Sequence, residues 1–342
     1  MKARLQRARD ESLRAALLAV FAVALAAPAA HAQAPVNGVR IIELTPHLAV
    51  NDAATLIEAE NYADAIVILD TFLATEPAPP PEAYYLLGVA HYQLGDYAKA
   101  LPAAERAARE AADAPASWLE LVVALLKQRN DYRAAIPWLE RLIELAPDTK
   151  TYWLELSIAY ERTDNYDRAL ATMRLAHTAS LLTEDAEFRR LSDLLAHQGI
   201  PRQAAEVLEQ GLAAQTVRAD EAVYTKIGTA WYNAGELDKA VLALENASRM
   251  ASTGDAYARL AVVHVAREAW AAAVAALHAA MERGSLTDPA HADLLMGVAL
   301  FRQNRLGEAR EWLESAAKEP RHQAIAQSYL DAFPTVHVPP GL

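Results

Sequence analysis

The residues best equipped for chemistry in this chain are its ten histidines and its 44 aspartates and glutamates, because it contains no cysteine. Disulfides, thiolate metal sites, cysteine nucleophiles and a lipidated N-terminal cysteine are therefore excluded. The histidines are scattered rather than grouped at ligand spacing. His91 and His264 fall in the same slot of a repeating frame set out below, a slot that suits an aromatic ring packed between helices, so a structural role is expected for both. There is no glycine-rich phosphate loop, no H-E-x-x-H and no G-x-S-x-G. Acidic pairs such as Glu184-Asp185 stand at helix starts, where the helix dipole favours them. Asn246-Ala247-Ser248 matches a glycosylation sequon, without meaning in the compartment argued below. No catalytic set, no cofactor and no metal site is expected.

The elements that carry these residues are helical. The chain has 342 residues, is 53% hydrophobic and 22% charged, and holds only 12 glycines and 5 phenylalanines. That composition is globular and favours helix over sheet. The stretch 83–101, AYYLLGVAHYQLGDYAKAL, reads as two short helices around a Gly95-Asp96 turn. Taking Ala100 as an anchor, the same frame recurs at Ala65, Ala135, Ala169, Ala204, Ala240, Ala273 and Ala309, at separations of 33 to 36 residues. Three residues before each anchor stands a turn-to-helix residue: Tyr62, Tyr97, Tyr132, Tyr166, Pro201, Leu237, Trp270 or Leu306. Four residues after it comes a large apolar side chain, with Ala104 the exception. Twelve before it, small residues recur as Gly88, Ser157, Ser192, Gly228, Ala261 and Gly297, where helices must approach closely.

This frame resembles the tetratricopeptide repeat, with its period of 34 residues. The resemblance implies an all-α fold, a right-handed α-α superhelix (TPR solenoid) of about eight helical hairpins over residues 46–323. Each hairpin is covered by the next, so stability is a sum of neighbour contacts. Ile325, Tyr329 and Phe333, with Ala326 and Leu330, predict a capping helix over 324–333. The proline-rich tail 334–342 cannot continue it. Residues 33–45 are expected to form an arm, and Ala78-Pro79-Pro80-Pro81 to break the chain between the first two repeats.

The first 32 residues read as a secretory signal peptide. Lys2, Arg4, Arg7, Arg9 and Arg14 precede an apolar run of 13 residues from Ala15 to Ala27, short of the ~20 a membrane span needs. Ala30-His31-Ala32 supplies the small residues for cleavage before Gln33; an uncleaved anchor is the alternative. The mature chain is then expected to be soluble in a bacterial periplasm, without membrane insertion. The net charge of −12 becomes more acidic once this basic segment is removed. Such a surface repels phosphate backbones, so nucleic acid is not an expected partner.

In the tetratricopeptide fold the first helix of each hairpin lines a concave groove, mainly through its second, fifth, ninth and twelfth positions. Here these include Tyr85, Val89 and Tyr92; Leu154 and Ile158; Thr225, Thr229 and Tyr232; Val262 and Val265; and Leu294, Val298 and Phe301. Glu120, Lys127, Arg189 and Asp193 lie between them as a charged middle. Such a groove suits an extended peptide or amphipathic helix, unless several of these positions are buried between helices. Charge reversal at Arg189 combined with Tyr232→Ala is expected to weaken binding without unfolding the stack. No asparagine occupies the ninth positions, so the clamp by which some relatives hold a C-terminal carboxylate is absent.

Beyond the repeat, residues 80–333 resemble the tetratricopeptide accessory protein of bacterial TonB–ExbB–ExbD energy-transduction systems. The likeness lies in Thr151-Tyr152-Trp153-Leu154-Glu155-Leu156-Ser157, Leu181-Leu182-Thr183, Pro201 with Ala204-Ala205, Glu268-Ala269-Trp270, Gly284-Ser285-Leu286-Thr287-Asp288-Pro289 and Leu295 to Phe301. The resemblance implies a non-enzymatic periplasmic scaffold whose partners are TonB, ExbB or ExbD segments, serving uptake of iron chelates or similar nutrients. A general envelope scaffold for polysaccharide export, cell-wall or outer-membrane machinery is the alternative.

Overall fold

A computed structural model describes residues 46–333. The expected signal peptide (1–32), arm (33–45) and tail (334–342) lie outside the described residues. These contain 17 α-helices and no strand. In order they are α1 (Pro46–Glu58), α2 (Tyr62–Thr75), α3 (Pro81–Gln93), α4 (Tyr97–Glu110), α5 (Ala116–Gln128), α6 (Tyr132–Leu145), α7 (Lys150–Arg162) and α8 (Tyr166–Thr178). They continue as α9 (Asp185–His197), α10 (Pro201–Ala213), α11 (Glu221–Asn233), α12 (Leu237–Met250), α13 (Asp255–Ala266), α14 (Trp270–Arg283), α15 (Pro289–Arg302), α16 (Leu306–Ala316) and α17 (Pro320–Asp331). Odd-numbered helices open a hairpin and even-numbered ones close it; α17 stands alone at the end. The helices fall into two compact units, up to Thr172 and from Met173.

The repeat frame maps onto this solenoid of hairpins position by position. Every closing helix begins at the residue three before its anchor alanine. All eight anchors are completely buried, and the apolar residues four further on, from Leu69 to Leu313, are at most 1% exposed. The reason is a close approach of the two helices. In α7 the Ser157 hydroxyl donates to the Ala169 carbonyl at 3.1 Å, and in α9 Ser192 donates to Ala204 at 2.8 Å. Where the slot holds glycine, the same carbonyl lies 3.3 Å from where a Cβ would stand, as at Gly88 against Ala100 and Gly228 against Ala240. A small residue is needed in either case; the buried serine hydroxyls find their acceptor in that carbonyl.

The turns repeat as faithfully. Five residues before each anchor the backbone enters the left-handed region: Glu60, Gly95, Asn130, Asp164, Gly199, Gly235, Glu268 and Asn304 have φ between 56° and 77°. The next amide then closes a six-to-one hydrogen bond onto the first helix, as from Asp96 to the His91 carbonyl (2.9 Å) and Glu236 to Trp231 (2.9 Å). This is the Schellman ending of a helix, in which glycine or asparagine meets the least steric cost.

Within each unit the contacts run between neighbours: closing helices pack on the next opening helix, as α2 on α3 or α12 on α13, and opening helices touch each other, as α3 and α5 or α11 and α13. Arginines tie successive closing helices together. Arg141 donates to the Ala108 carbonyl (3.0 Å) and Arg283 to Ala251 (2.8 Å), each capping the frayed end of the previous closing helix. Pro80 caps α3 and Pro81 is its first residue, so the triple proline starts the second hairpin, while α2 has already ended at Thr75. The final helix starts at Pro320, earlier than 324, because a proline at the first helical position lacks only a donor that would be unpaired anyway.

Candidate functional site

The opening helices carry the residues read as a groove, and each unit is taken in turn. In the N-terminal unit, Tyr85 is 6% exposed and its ring stacks on Trp118 at 4.9 Å with planes 13° apart. Burial pushes its hydroxyl pKa up to about 12. Val89 is fully packed at 3% exposure, so it offers nothing to a partner. Tyr92 is half-buried, with its ring 5.6 Å from Tyr97. Leu154 and Ile158 are half-buried and remain on the surface of α7. Between them, the Tyr152 hydroxyl donates to Glu120 and Lys127 pairs with Glu155. Burial, followed by the Glu120 contact, raises the Tyr152 pKa.

In the C-terminal unit Arg189 donates through Nε to Asp185 (2.8 Å), through Nη2 to Asp220 (2.9 Å) and to the Arg218 carbonyl (3.3 Å). Asp193 pairs with Lys226. Asp220 also caps α11, accepting from the Val223 amide at 2.8 Å, and its pKa is lowered; burial opposes the shift, but that amide and Arg189 outweigh it. Each member of the charged middle thus has a partner within the chain. Glu120, Lys127, Arg189 and Asp193 pair with Tyr152, Glu155, Asp220 and Lys226 at the next opening helix, and the Asp193–Lys226 pair stays largely exposed. Leu294 and Val298, at 5% and 9% exposure, are core residues of the last hairpin. Phe301 is engaged as well: Tyr329 meets its ring edge-on at 5.4 Å and Phe333 lies 5.3 Å away. Thr225, Thr229, Val262 and Val265 are half-buried and Tyr232 is exposed, so these remain available.

A cavity of about 630 Å³ opens beside them, at the N-terminal ends of α11 and α13. It is lined by Asp220, Glu221, Ala222, Thr225, Thr253, Asp255, Ala256 and Arg259. Asp255 is engaged by the Thr287 amide (2.8 Å) and hydroxyl (2.5 Å). By contrast, among the described residues the side chains of Glu221, Thr225, Thr253 and Arg259 form no hydrogen bond or ion pair. Of this lining, sequence reasoning singled out Thr225 alone. The signal that marks the rest is the pair of acidic helix starts at Asp220-Glu221 and Asp255, one repeat apart.

His91 and His264 are buried, at 7% and 9% exposure. Burial is the largest influence on each and lowers both pKa values; Asp96 opposes it at His91, whereas Arg267 adds to it at His264. Among the described residues no group of three or more His, Asp or Glu side chains is placed to hold a metal ion, and no helix is long and apolar enough to cross a membrane.

Stacked helical hairpins with a lined opening-helix face define a repeat scaffold of the kind that binds other proteins. Residues 53–115, 119–180 and 258–324 match the tetratricopeptide repeat family, more than half of the chain, and the protein belongs to that family. Members are in general non-catalytic and bind protein or peptide partners. No curated protein matches the chain. Among solved structures, Naa15/Naa10 bound to HypK-THB is similar with a TM-score of 0.52 and 16% identity, over 73% of this chain and 39% of that one. YrrB, described as a TPR protein with an unusual peptide-binding site, gives a TM-score of 0.46 at 16% identity, over 56% of this chain and 97% of its own. A tetratricopeptide repeat protein from Parabacteroides merdae ATCC 43184 gives 0.40 at 14% identity, over 75% and 98%. At these identities the likeness is one of fold.

Proposed function

We propose that this protein is a periplasmic scaffold that holds an extended segment of a partner protein on its opening-helix face, as an accessory to a TonB–ExbB–ExbD system. The observation that carries the binding site is the cavity at α11 and α13, where Glu221, Thr225, Thr253 and Arg259 keep unspent polar groups beside an open surface. Every charge read as the groove's middle is already paired, so a partner gains most where donors and acceptors are still free. A family of protein-binding scaffolds supplies the class of ligand. The TonB assignment is supported by the residues quoted from Thr151 to Phe301, and the periplasmic location by the basic, apolar and small-residue succession of residues 1–32.

A photo-crosslinking residue in place of Thr225, introduced in the full-length chain in its native host, tests both parts. Crosslinks to TonB, ExbB or ExbD are the expected result. Crosslinks confined to polysaccharide-export or cell-wall proteins would replace the TonB assignment with the general envelope scaffold. Absence of any crosslink at Thr225, with crosslinks from an exposed position such as Leu242, would move the binding face away from the opening helices.

A further inference from the structure

The last helix, α17, is held differently at its two ends. At its C-terminal end Tyr329 and Phe333 clasp Phe301, with Arg310 4.7 Å above the Phe333 ring. Between them only Ala326 of the helix is fully buried, while Ile325 is 51% exposed. At its N-terminal end the His322 ring stacks on His291 of α15, centroids 5.4 Å apart and planes 19° apart. The His322 Nε2 lies 3.3 Å from Asp288 Oδ2, an oxygen that Arg321 also approaches at 3.5 Å.

We infer that this stacked histidine pair is an acid-operated release for α17, freeing the C-terminal helix from the last hairpin as the pH falls. The charges around the pair decide the direction. On α15, Asp288 caps the helix through the His291 amide at 3.1 Å, and Asp293 is bound by Ser315 of α16 at 2.8 Å. From α17 and its cap come His322, Arg321 and Glu319, the last 3.6 Å from Arg321. On the flanking helices, Asp255 of α13 is taken by Thr287, and Arg283 of α14 by the Ala251 carbonyl. Asp288 and Glu319 are therefore the two carboxylates at hand for Arg321 and a protonated His322. A second proton on His291 would place two positive rings face to face with no further carboxylate free to answer them.

Burial, then the neighbouring His322, holds the His291 pKa below the usual histidine value, and Asp288 only partly offsets them. A group whose docked-state pKa is depressed takes up its proton more readily when undocked. Docking is therefore fully present above about pH 6.5, the unperturbed value, and is lost as pH falls below it. Each unit of depression corresponds to about a tenfold bias toward the free helix once both forms are protonated. A terminal helix with one buried residue and a single flanking hairpin has little other stability to lose. Release bares Phe301 and the face of α15 that α17 covers, adding an apolar strip to the opening-helix side.

Hydrogen exchange of the full-length protein at about pH 7.5 and about pH 5, corrected for intrinsic rates, tests this without any partner. The amides of 321–331 should lose more protection in acid than those of α11 and α12. His291→Gln should abolish that excess. If the His291→Gln protein does not fold, His322→Gln should reduce the excess by removing the second ring. An excess that persists in the folded variant, acid exchange that rises equally through all of 185–331, or an α17 indifferent to pH would each overturn the inference.

Discussion

Gly297 illustrates how much a single position can decide. A Cβ there would stand 2.6 Å from the Leu313 Cγ, and at Gly228 the equivalent atom would meet the Leu244 Cγ at 2.5 Å. The large residue four beyond the anchor is a knob that occupies the hole left by the missing side chain. Gly88 faces Ala104, the one small residue in the knob series, and there the Cβ site meets no side chain closer than the Ala104 Cβ at 3.3 Å, although the facing amide nitrogen lies 3.1 Å away at Gly88 and Gly297 alike. Gly297→Val is therefore expected to lower the unfolding midpoint by overpacking, at a cost of about 1–3 kcal/mol, and Gly88→Ala to cost less. Denaturant unfolding followed by circular dichroism compares the two. Ser192→Ala removes the donor to a buried carbonyl and should cost about 1 kcal/mol by the same assay. Small residues at these positions were legible from the repeat alone. Why some are glycine and others serine was not, because it depends on whether the facing helix leaves room for a side chain and an acceptor for its buried hydroxyl.

At the scale of the element, pairing of charges between successive opening helices revises what a substitution at Arg189 would do. With Asp185 and Asp220 both on its guanidinium, Arg189→Glu sets three carboxylates together at the start of α11. The result is expected to be a loss of stability of about 2 kcal/mol or more rather than a clean loss of binding. Tyr232→Ala alone, at an exposed ring, is the substitution that should weaken partner binding while leaving the thermal midpoint unchanged. Calorimetric binding to the crosslinked partner and a melting curve of each variant separate the two effects. The Lys127–Glu155 pair is partly exposed, at 33% and 25% of its side chains, and a double-mutant cycle should return a coupling under about 1 kcal/mol. Sequence spacing showed these residues on one helical face. It did not show that the face of the next helix brings the opposite charge within reach, since that partner lies 28 to 33 residues away.

For the molecule as a whole, acid sensitivity follows from histidines that are buried neutral. His91, His264 and His291 all have folded-state pKa values below the ordinary one, with burial first among the causes. The unfolded chain then binds more protons, so stability is complete above about pH 6.5 and falls as the pH drops below it. The Nδ1 of His264 is buried with no hydrogen-bond partner, so His264→Leu is expected to flatten this acid limb, measured as the urea midpoint between about pH 7 and about pH 5. Because contacts run only between neighbours within each unit, His264→Leu should change acid-induced hydrogen exchange in α13 and α14 and leave that of α3, which carries His91, as it is.

The amino-acid sequence determined the repeat by itself: the anchors, the starts of the closing helices and the direction of each apolar face follow from local spacing, and 3.6 residues per turn converts spacing into orientation. Stacking decided the rest. Whether Val89, Leu294 and Val298 face a partner or a neighbouring helix, which charges remain unspent around the cavity at α11 and α13, and that His291 meets His322 all depend on contacts one repeat away. There, side chains from different hairpins compete for the same space and the same hydrogen bonds.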